Sequence, residues 1–198
     1  MSKEKQALRA QMKTLREELA ARDPDAGETL ADKFPLKLFE RYGPTVALYL
    51  PIGSEIDPRP LMDKLVNAGA KFALPCVLDD GSMIYRHYTR GDPLEKRAFG
   101  LLEPFHKVPE VQPTLILTPL LAFDRQGNRL GYGKGHYDRA IARLREQGRV
   151  FICGLAFHGQ EVDALPAEPH DIPLDWVMTE RGSIPIFMMR AMGAPEET

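Results

Sequence analysis

The sequence is poor in cysteine and has almost no excess of charge of either sign. Its two cysteines, Cys76 and Cys153, lie inside apolar runs, without a C-x-x-C pattern or the spacing of a metal site. This argues against a disulfide framework, and we expect a protein of the reducing cytoplasm. The formal charge of -2 argues against a nucleic-acid partner, because nucleic-acid binders neutralise phosphates with an excess of basic side chains.

Long hydrophobic runs, internal repeats and low-complexity segments are also missing. The chain opens with a charged, amphipathic helical pattern over 3–22, so we expect neither a signal peptide nor a membrane span. The composition, 43% hydrophobic and 27% charged residues, is typical of a soluble globular enzyme. The length favours one domain, which we expect to cover residues 1–190 and to be followed by a frayed tail at 191–198.

Strand-like and helix-like segments alternate along the chain. Strands are predicted at 45–50, 71–78, 83–88, 114–123, 149–157, 175–179 and 184–188, and helices at 3–22, 26–41, 58–68 and 137–147. This alternation predicts an α/β fold, specifically a three-layer α/β/α domain with a largely parallel, twisted, Rossmann-like sheet. Ligands of such sheets bind beyond the carboxyl ends of the strands, where the loops at 51–57, 124–136 and 158–171 should gather. The proline-rich connection 88–113 is predicted to be an irregular, functional loop.

The most informative stretch is the loop at 127–138, in which small residues surround one lysine. Its glycines are Gly127, Gly131, Gly133 and Gly135. A loop stripped of side chains lets backbone amides converge on an anion, and Lys134 adds a positive charge. The helix that follows presents its N-terminus, which also favours phosphate. A tight strand-to-helix turn would need fewer glycines, so we favour a phosphate-binding loop over a simple turn.

This loop matches neither of the common phosphate motifs. A Walker loop would require glycine at Asn128 and serine or threonine at Gly135. A dinucleotide fingerprint would require a third glycine at another offset and an acidic residue after the next strand. The sequence also shows no Ser-His-Asp or Cys-His arrangement for nucleophilic catalysis.

A longer pattern surrounds the loop, consisting of PLLAFD at 119–124, Gly127 and RLGYGKGHYD at 129–138. This pattern resembles the hallmark segment of the 5-formyltetrahydrofolate cyclo-ligases, also called 5,10-methenyltetrahydrofolate synthetases. The resemblance covers nearly the whole chain in order and rough spacing. Its other elements are Lys5 and Arg9, YLP at 49–51, Glu55 and Ile56, LP at 74–75, Phe99 and Gly100, Glu103 and Pro104, and His170 and Asp171.

The resemblance implies an ATP- and Mg²⁺-dependent ligase that closes 5-formyltetrahydrofolate to 5,10-methenyltetrahydrofolate and releases ADP and phosphate. Lys134 and Arg129 are the implied catalytic residues, stabilising a phosphoryl group as it transfers to the formyl oxygen. We expect a monomer without nucleic-acid or membrane partners. The implied ATP contacts are Lys5, Arg9, Arg129, Leu130, Gly131, Tyr132, Gly133, Lys134, Gly135, His136 and Tyr137. The implied folate contacts are Leu50, Glu55, Phe99, Tyr132, Lys134 and His136, and the implied metal ligands are Asp138 and Asp171.

Each charged candidate also has an ordinary structural interpretation. Asp138 in the first turn of a helix is commonly a cap, and Asp171 is equally compatible with a turn. Lys5 and Arg9, four residues apart, share a helix face that is solvated by default. Arg129 is alternatively a surface ion-pair partner of a nearby acid.

The folate candidates have such alternatives too. Glu55 is by default a solvated loop glutamate, and Phe99 is a core residue. Tyr132 and His136 stand at positions where the family pattern varies, and a lone loop histidine is usually a hydrogen-bonded bystander. Two other functional classes also remain open: a different ATP-using enzyme, such as a small-molecule kinase, and a nucleotide-binding module without catalysis.

Overall fold

The computed structural model describes residues 3–97 and 101–192. The helices are α1 (Lys3–Arg22), α2 (Ala26–Lys33), α3 (Leu36–Tyr42), α4 (Arg59–Asn67), α5 (His136–Gln147) and α6 (Ile186–Met192). The strands are β1 (Thr45–Ala47), β2 (Lys71–Val77), β3 (Met83–Tyr88), β4 (Leu94–Lys96), β5 (Leu102–Pro104), β6 (Leu115–Pro119), β7 (Ala122–Phe123), β8 (Arg129–Leu130), β9 (Phe151–Leu155), β10 (Trp176–Thr179) and β11 (Gly182–Ile184).

The central sheet has seven strands in the order β11-β10-β9-β6-β1-β2-β3. Its five inner strands run parallel, and β3 and β11 pair antiparallel at the two edges. The chain enters at β1, fills one side through β2 and β3, and returns to β6 on the other side of β1. The largely parallel sheet predicted from sequence is thereby confirmed. Because the strand order reverses between β1 and β6, the loops that follow these strands diverge and leave a crevice.

Alternate residues along each strand build the layers on the two faces of the sheet. In β6, Leu115 and Leu117 belong to the core shared with α2, α3 and α4. Ile116, between them, belongs to the core shared with α5 and α6. This alternation follows from the two-residue period of a strand, and it confirms the predicted α/β/α layering.

Helix α1 packs against a small hairpin formed by β7 and β8 at the carboxyl edge of the sheet. Met12 is buried there with Leu121, Leu130 and Leu165. Lys5 and Arg16 are buried on the same helix. The inward face of α1 therefore carries cations as well as apolar residues, whereas the sequence suggested separate apolar and basic stripes.

Prolines break three segments that were predicted to be continuous. The helix predicted at 26–41 is two helices, because Pro35 disfavours helical geometry at the residue before it. The strand predicted at 114–123 leaves the sheet after Pro119, and its last residues form β7 in the hairpin. The strand predicted at 184–188 was wrong, because Pro185 ends β11 and α6 begins at the next residue.

Two further expectations concern the connection 88–113 and the C-terminal tail. The connection 88–113 is not wholly irregular, because β4 and β5 form an antiparallel hairpin within it. Of the tail predicted at 191–198, the first two residues belong to α6, and 193–198 lie outside the described residues. No helix in the described part of the chain is both long and apolar enough to cross a membrane.

Candidate active site

A cleft of about 1160 Å³ opens at the carboxyl edge of the sheet, beside the point where the strand order reverses. The loop after β1, the β7–β8 hairpin, the first turn of α5, the segment 165–171 and one face of α1 line it. Phe99 lies outside the described residues. The other predicted site residues all line this cleft, namely Lys5, Arg9, Leu50, Glu55, Arg129, Leu130, Gly131, Tyr132, Gly133, Lys134, Gly135, His136, Tyr137, Asp138 and Asp171.

The glycine-rich loop, residues 131–135, joins β8 to α5 and forms one end of the cleft, which we call the glycine-loop end. Gly133 and Gly135 have φ values of 89° and 64°, a region that side chains disfavour. Gly135 precedes the first residue of α5 and offers no side-chain cap. The first amides of α5 lack intrahelical acceptors, so this end presents backbone donors beside the exposed Lys134.

Gly127 has a different role from the one the sequence suggested. Its φ is 89°, and a Cβ there would lie 2.8 Å from both Cγ2 of Ile186 and the carbonyl oxygen of Leu174. Gly127 makes the turn between β7 and β8 where the chain passes under α6. It does not line the cleft, so the part of the glycine-rich stretch that faces the cavity begins at Gly131.

Asp124 anchors the hairpin from below and was not predicted as a key residue. It is fully buried. Its carboxylate accepts bonds from the backbone N–H groups of Gln126 and Asn128 at 3.0 and 2.9 Å, and from Nδ2 of Asn128 at 2.9 Å. It also accepts a bond at 2.9 Å from the N–H of Leu165. One buried carboxylate thus ties together two of the loops that line the cleft.

Cations from α1 reach the glycine-loop end. Nζ of Lys5 donates to Oε1 of Glu168 at 2.7 Å and lies 3.7 Å from Oδ2 of Asp171. The hydrogen bond and the charge of Lys5 lower the pKa of Glu168. Nε of Arg9 donates at 2.8 Å to the carbonyl oxygen of Gly131. The shared helix face predicted for these two cations therefore points into the cleft.

Arg129 and Asp138 form a shielded pair at the base of the same end. Nη2 of Arg129 lies 2.6 Å from Oδ1 of Asp138, and only 7% of the arginine side chain is exposed. Nη1 of Arg129 donates to the carbonyl oxygen of Ile172 at 2.6 Å, and the N–H of Ile172 donates to Oδ1 of Asp138 at 3.0 Å. The ion-pair interpretation of Arg129 is therefore correct as to its partner, but the pair is not on the surface. Through the Ile172 bond, Asp138 holds the chain directly after the 165–171 segment.

His136 is a hydrogen-bonded residue in this structure. Its Nδ1 lies 3.1 Å from the carbonyl oxygen of Gly81 and 3.3 Å from Nη2 of Arg139. Burial lowers its pKa, the Gly81 hydrogen bond opposes that change, and the charges of Arg139 and Lys134 add to it. These contacts agree with the bystander interpretation.

Glu55 lies after β1, beside Tyr132 of the glycine-rich loop, in a part of the cleft that we call the Glu55 end. It is 7% exposed, so the solvated-loop interpretation is wrong. Its Oε2 accepts a bond from the N–H of Ile52 at 2.9 Å, and its Oε1 accepts one from the hydroxyl of Tyr132 at 3.0 Å. Burial raises the pKa of Glu55, while the Ile52 bond, the charge of Arg16 and the Tyr132 bond oppose that rise.

Arg16 is the main residue at this end that sequence reasoning missed. Nη1 of Arg16 lies 3.7 Å from Oε1 of Glu55, and both side chains are 2% exposed. The residue stands eleven positions after Lys5, a spacing that places both on one face of α1 about 16 Å apart. That spacing was the available signal, but it does not distinguish a buried arginine from a solvated one.

The described residues contain no cluster of three or more His, Cys, Asp or Glu side chains that could hold a metal ion. The two predicted metal ligands nevertheless both face the glycine-loop end. Mg²⁺ commonly binds proteins through one or two carboxylates, with phosphate oxygens and waters completing the shell. Both contacts of Asp138 described above use Oδ1. The donor set therefore fits a magnesium ion that arrives with a polyphosphate, and does not form a cage of protein ligands.

Comparison with known proteins decides the family. The 5-formyltetrahydrofolate cyclo-ligase family matches residues 1–180. The chain belongs to this family. A cyclo-ligase of Haemophilus influenzae is 32% identical over 181 residues, spanning 87% of this chain and 96% of that protein. The cyclo-ligase of Escherichia coli K12 is 35% identical over 141 residues, spanning 68% of this chain and 77% of that protein.

Solved structures of cyclo-ligases, under their other name of 5,10-methenyltetrahydrofolate synthetases, share the fold. The Aquifex aeolicus protein superposes with a TM-score of 0.75 at 30% identity, covering 92% of each chain. The Mycoplasma pneumoniae protein superposes with a TM-score of 0.70 at 25% identity, covering 89% of this chain and 98% of that one. The resemblance found in the sequence is therefore confirmed for the cyclo-ligase family and for its fold.

Proposed function

We propose that this protein is an ATP-dependent 5-formyltetrahydrofolate cyclo-ligase whose reaction runs along the single cleft described above. One observation carries the proposal: a glycine-rich loop at a helix N-terminus and a buried carboxylate held by hydrogen bonds face the same cavity. The first suits a triphosphate, and the second suits a neutral heterocycle with N–H donors. The cyclo-ligase reaction brings together a triphosphate, ATP, and such a heterocycle, the folate, so membership of the family accounts for both features.

The proposed reaction activates a poor leaving group. The formyl oxygen of the folate attacks the γ-phosphorus of ATP and ADP departs, which leaves a phosphorylated iminium-like carbon. N10 of the same folate then attacks that carbon, loses its proton, and inorganic phosphate leaves with the former formyl oxygen. None of these reaction steps requires a nucleophilic side chain of the protein.

The glycine-loop end would hold the triphosphate. The loop amides, the N-terminus of α5 and Lys134 would surround the phosphates, with Lys5 and Arg9 adding charge from α1. Phosphoryl transfer depends mainly on alignment and on positive charge around the transferring group, and this end supplies both. A bound Mg²⁺ would neutralise phosphate charge, with Asp138 and Asp171 as its protein ligands.

The Glu55 end would hold the folate. Leu50 and Tyr132 offer apolar surface, and Glu55 offers acceptors for the N–H groups of the pterin. Lys134 and His136, at the junction of the two ends, would lie near the formyl group. We further propose a monomer, and a reducing cytoplasmic location because both cysteines are free and buried.

The test is to incubate the pure protein with 5-formyltetrahydrofolate, with and without MgATP, and to follow the near-ultraviolet absorbance of the methenyl product. We expect signal only when nucleotide and metal are both present. Lys134→Ala and Asp138→Ala should nearly abolish it, whereas Lys37→Ala, at an exposed position on α3, should leave the rate unchanged.

The products separate this function from its alternatives. A small-molecule kinase would leave a stable phosphorylated compound in place of free phosphate. A nucleotide-binding module would bind MgATP without turnover. If Lys134→Ala and Asp138→Ala both stay folded and keep full activity, the residue assignment is wrong, even if the protein catalyses the proposed overall reaction.

A further inference from the structure

Arg16 is an unusual residue for the middle of a highly charged surface helix, because its guanidinium is almost fully buried. Its Nε donates to Oγ of Ser54 at 3.1 Å, and its Nη1 donates to the carbonyl oxygen of Leu120 at 3.3 Å. Its Nη2 donates to the hydroxyl oxygen of Tyr132 at 2.8 Å. A buried charge is costly unless it is paired and hydrogen-bonded. Here three hydrogen bonds connect α1 to three other segments that line the cleft.

The bond to Tyr132 determines where the tyrosine proton points. A phenol carries one proton and can both donate and accept. Because Arg16 donates into the hydroxyl oxygen, the single O–H is directed to its other neighbour, Oε1 of Glu55 at 3.0 Å. Arg16, Tyr132 and Glu55 therefore form a chain of hydrogen bonds with one direction, which begins at a cation and ends at a carboxylate.

Glu55 is held from both sides by this arrangement. The N–H of Ile52 fixes Oε2, while Tyr132 and the charge of Arg16 fix Oε1. The phenols of Tyr49 and Tyr137 are also near this site: burial raises the pKa of each, and the charge of Glu55 adds to the rise. Arg16 is the cation whose charge lowers the pKa of Glu55.

We propose that Arg16 is a positioning residue for substrate recognition: through the Tyr132 hydroxyl and its own guanidinium it holds the carboxylate of Glu55 in one orientation, ready to accept paired N–H donors of the bound heterocycle. This inference rests on the proposed function, because it assigns Arg16 to the folate end of that reaction. Arg16 need not touch the substrate for this role. The affinity for folate, and its dependence on pH, should then follow the identity of residue 16, while the affinity for ATP should not.

The variant Arg16→Met removes the charge and the donors but keeps an unbranched side chain of similar reach. Bonds to charged groups contribute enough that the KM for 5-formyltetrahydrofolate should rise about tenfold to a hundredfold, with the KM for ATP within about twofold of the parent. Without the guanidinium, burial raises the pKa of Glu55 further. The pH below which kcat/KM for folate falls should therefore be higher in Arg16→Met than in the parent.

Two conservative variants and one control sharpen the result. Arg16→Lys keeps the charge, so it should recover part of the affinity for folate and a pH profile closer to that of the parent. Tyr132→Phe removes only the hydroxyl and should shift the profile in the same direction as Arg16→Met, by a smaller amount. Arg22→Met, on the same helix with a 67% exposed side chain, should match the parent in every measurement.

A carboxyl titration provides a readout that needs no turnover. In protein carrying carbon-13-labelled glutamate, the Glu55 signal should titrate at higher pH in Tyr132→Phe than in the parent, and higher still in Arg16→Met. An unchanged Glu55 titration in Tyr132→Phe, which removes only one oxygen at a half-exposed ring, overturns the inference even if Arg16→Met fails to fold. A parallel rise of both KM values without a change in pH profile also overturns it. Absence of methenyl product from the parent protein overturns the proposed function instead, and the titration then judges Arg16 alone.

Discussion

At the glycine-loop end of the cleft, backbone amides and the exposed Lys134 lie beside Lys5 and Arg129, two cations that already pair with carboxylates. At the Glu55 end, an arginine and a carboxylate, each with a 2% exposed side chain, are fixed by hydrogen bonds before any ligand arrives. A triphosphate carries its own charge and tolerates flexible cations around it. A neutral heterocycle is recognised through the direction of its hydrogen bonds, so the carboxylate that accepts them must be held in one orientation. The two ends differ because their proposed ligands differ.

The largest effect should come from removing the support beneath the glycine-loop end. Asp124→Ala removes the acceptor of the buried Leu165 N–H and of the partly buried Gln126 and Asn128 N–H groups, so we expect a loss of about 3–4 kcal/mol in the free energy of unfolding. Urea denaturation measures it. Asp163→Ala, at an exposed position in the neighbouring segment, should change stability by less than about 0.5 kcal/mol. Equal stability of the two variants would show that the hairpin does not depend on Asp124.

A large effect confined to the Glu55 end is expected from Glu55→Gln. The amide keeps the size of the side chain but loses the charge, and hydrogen bonds to a charged group contribute about 1.5–3 kcal/mol. The KM for 5-formyltetrahydrofolate should therefore rise by a factor of roughly 10 to 150, while the KM for ATP stays near that of the parent. Steady-state kinetics with each substrate varied separately tests this. An increase in the KM for ATP of the same size would mean that the two ends are not separate.

The pH dependence should distinguish the ends by their titrating groups. Because burial raises the pKa of Glu55, its carboxyl takes up a proton at a higher pH than an ordinary glutamate, whose pKa is about 4.3. The ionised form accepts hydrogen bonds, so kcat/KM for folate at saturating MgATP should fall as pH decreases through the raised pKa, by about tenfold per pH unit. Glu55→Gln should lack this acid limb. A limb that persists unchanged in Glu55→Gln belongs to another group.

The smallest effect should come from Glu168, which holds Lys5 at the glycine-loop end in the ligand-free protein. Exposed ion pairs contribute about 0–1 kcal/mol, so Glu168→Gln should lower the KM for ATP by at most about fivefold. The change should shrink as salt is added, because exposed charges are screened. Glu146→Gln, at an exposed position on α5, serves as the control. A weaker affinity for ATP in Glu168→Gln would mean that the carboxylate supports the bound nucleotide instead of competing with it.

Sequence patterns were reliable where the physics is local. The alternation of strands and helices predicted a parallel sheet in three layers, and the glycine spacing predicted a loop that leads into a helix at the sheet edge. The site residues that the family resemblance implied, as far as the structure describes them, all line one cleft. The errors occurred where prolines divided apolar runs, at Pro35, Pro119 and Pro185, because hydrophobic periodicity continues across a break that backbone geometry imposes.

The tertiary structure alone decided which charges are buried and which partners they meet. Arg16, Glu55 and Tyr132 come from three separate segments, and the hydroxyl of Tyr132 reaches Glu55 across 77 positions of sequence. Gly127 was counted among the loop glycines and Asp124 belonged to the family pattern, but packing under α6 and a buried set of hydrogen bonds explain them. Backbone conformation and helix dipoles depend on neighbours along the chain, so the sequence by itself determined the loop and the helix that follows it. Burial and ion pairing depend on neighbours in space, so only the folded protein decided the Glu55 end.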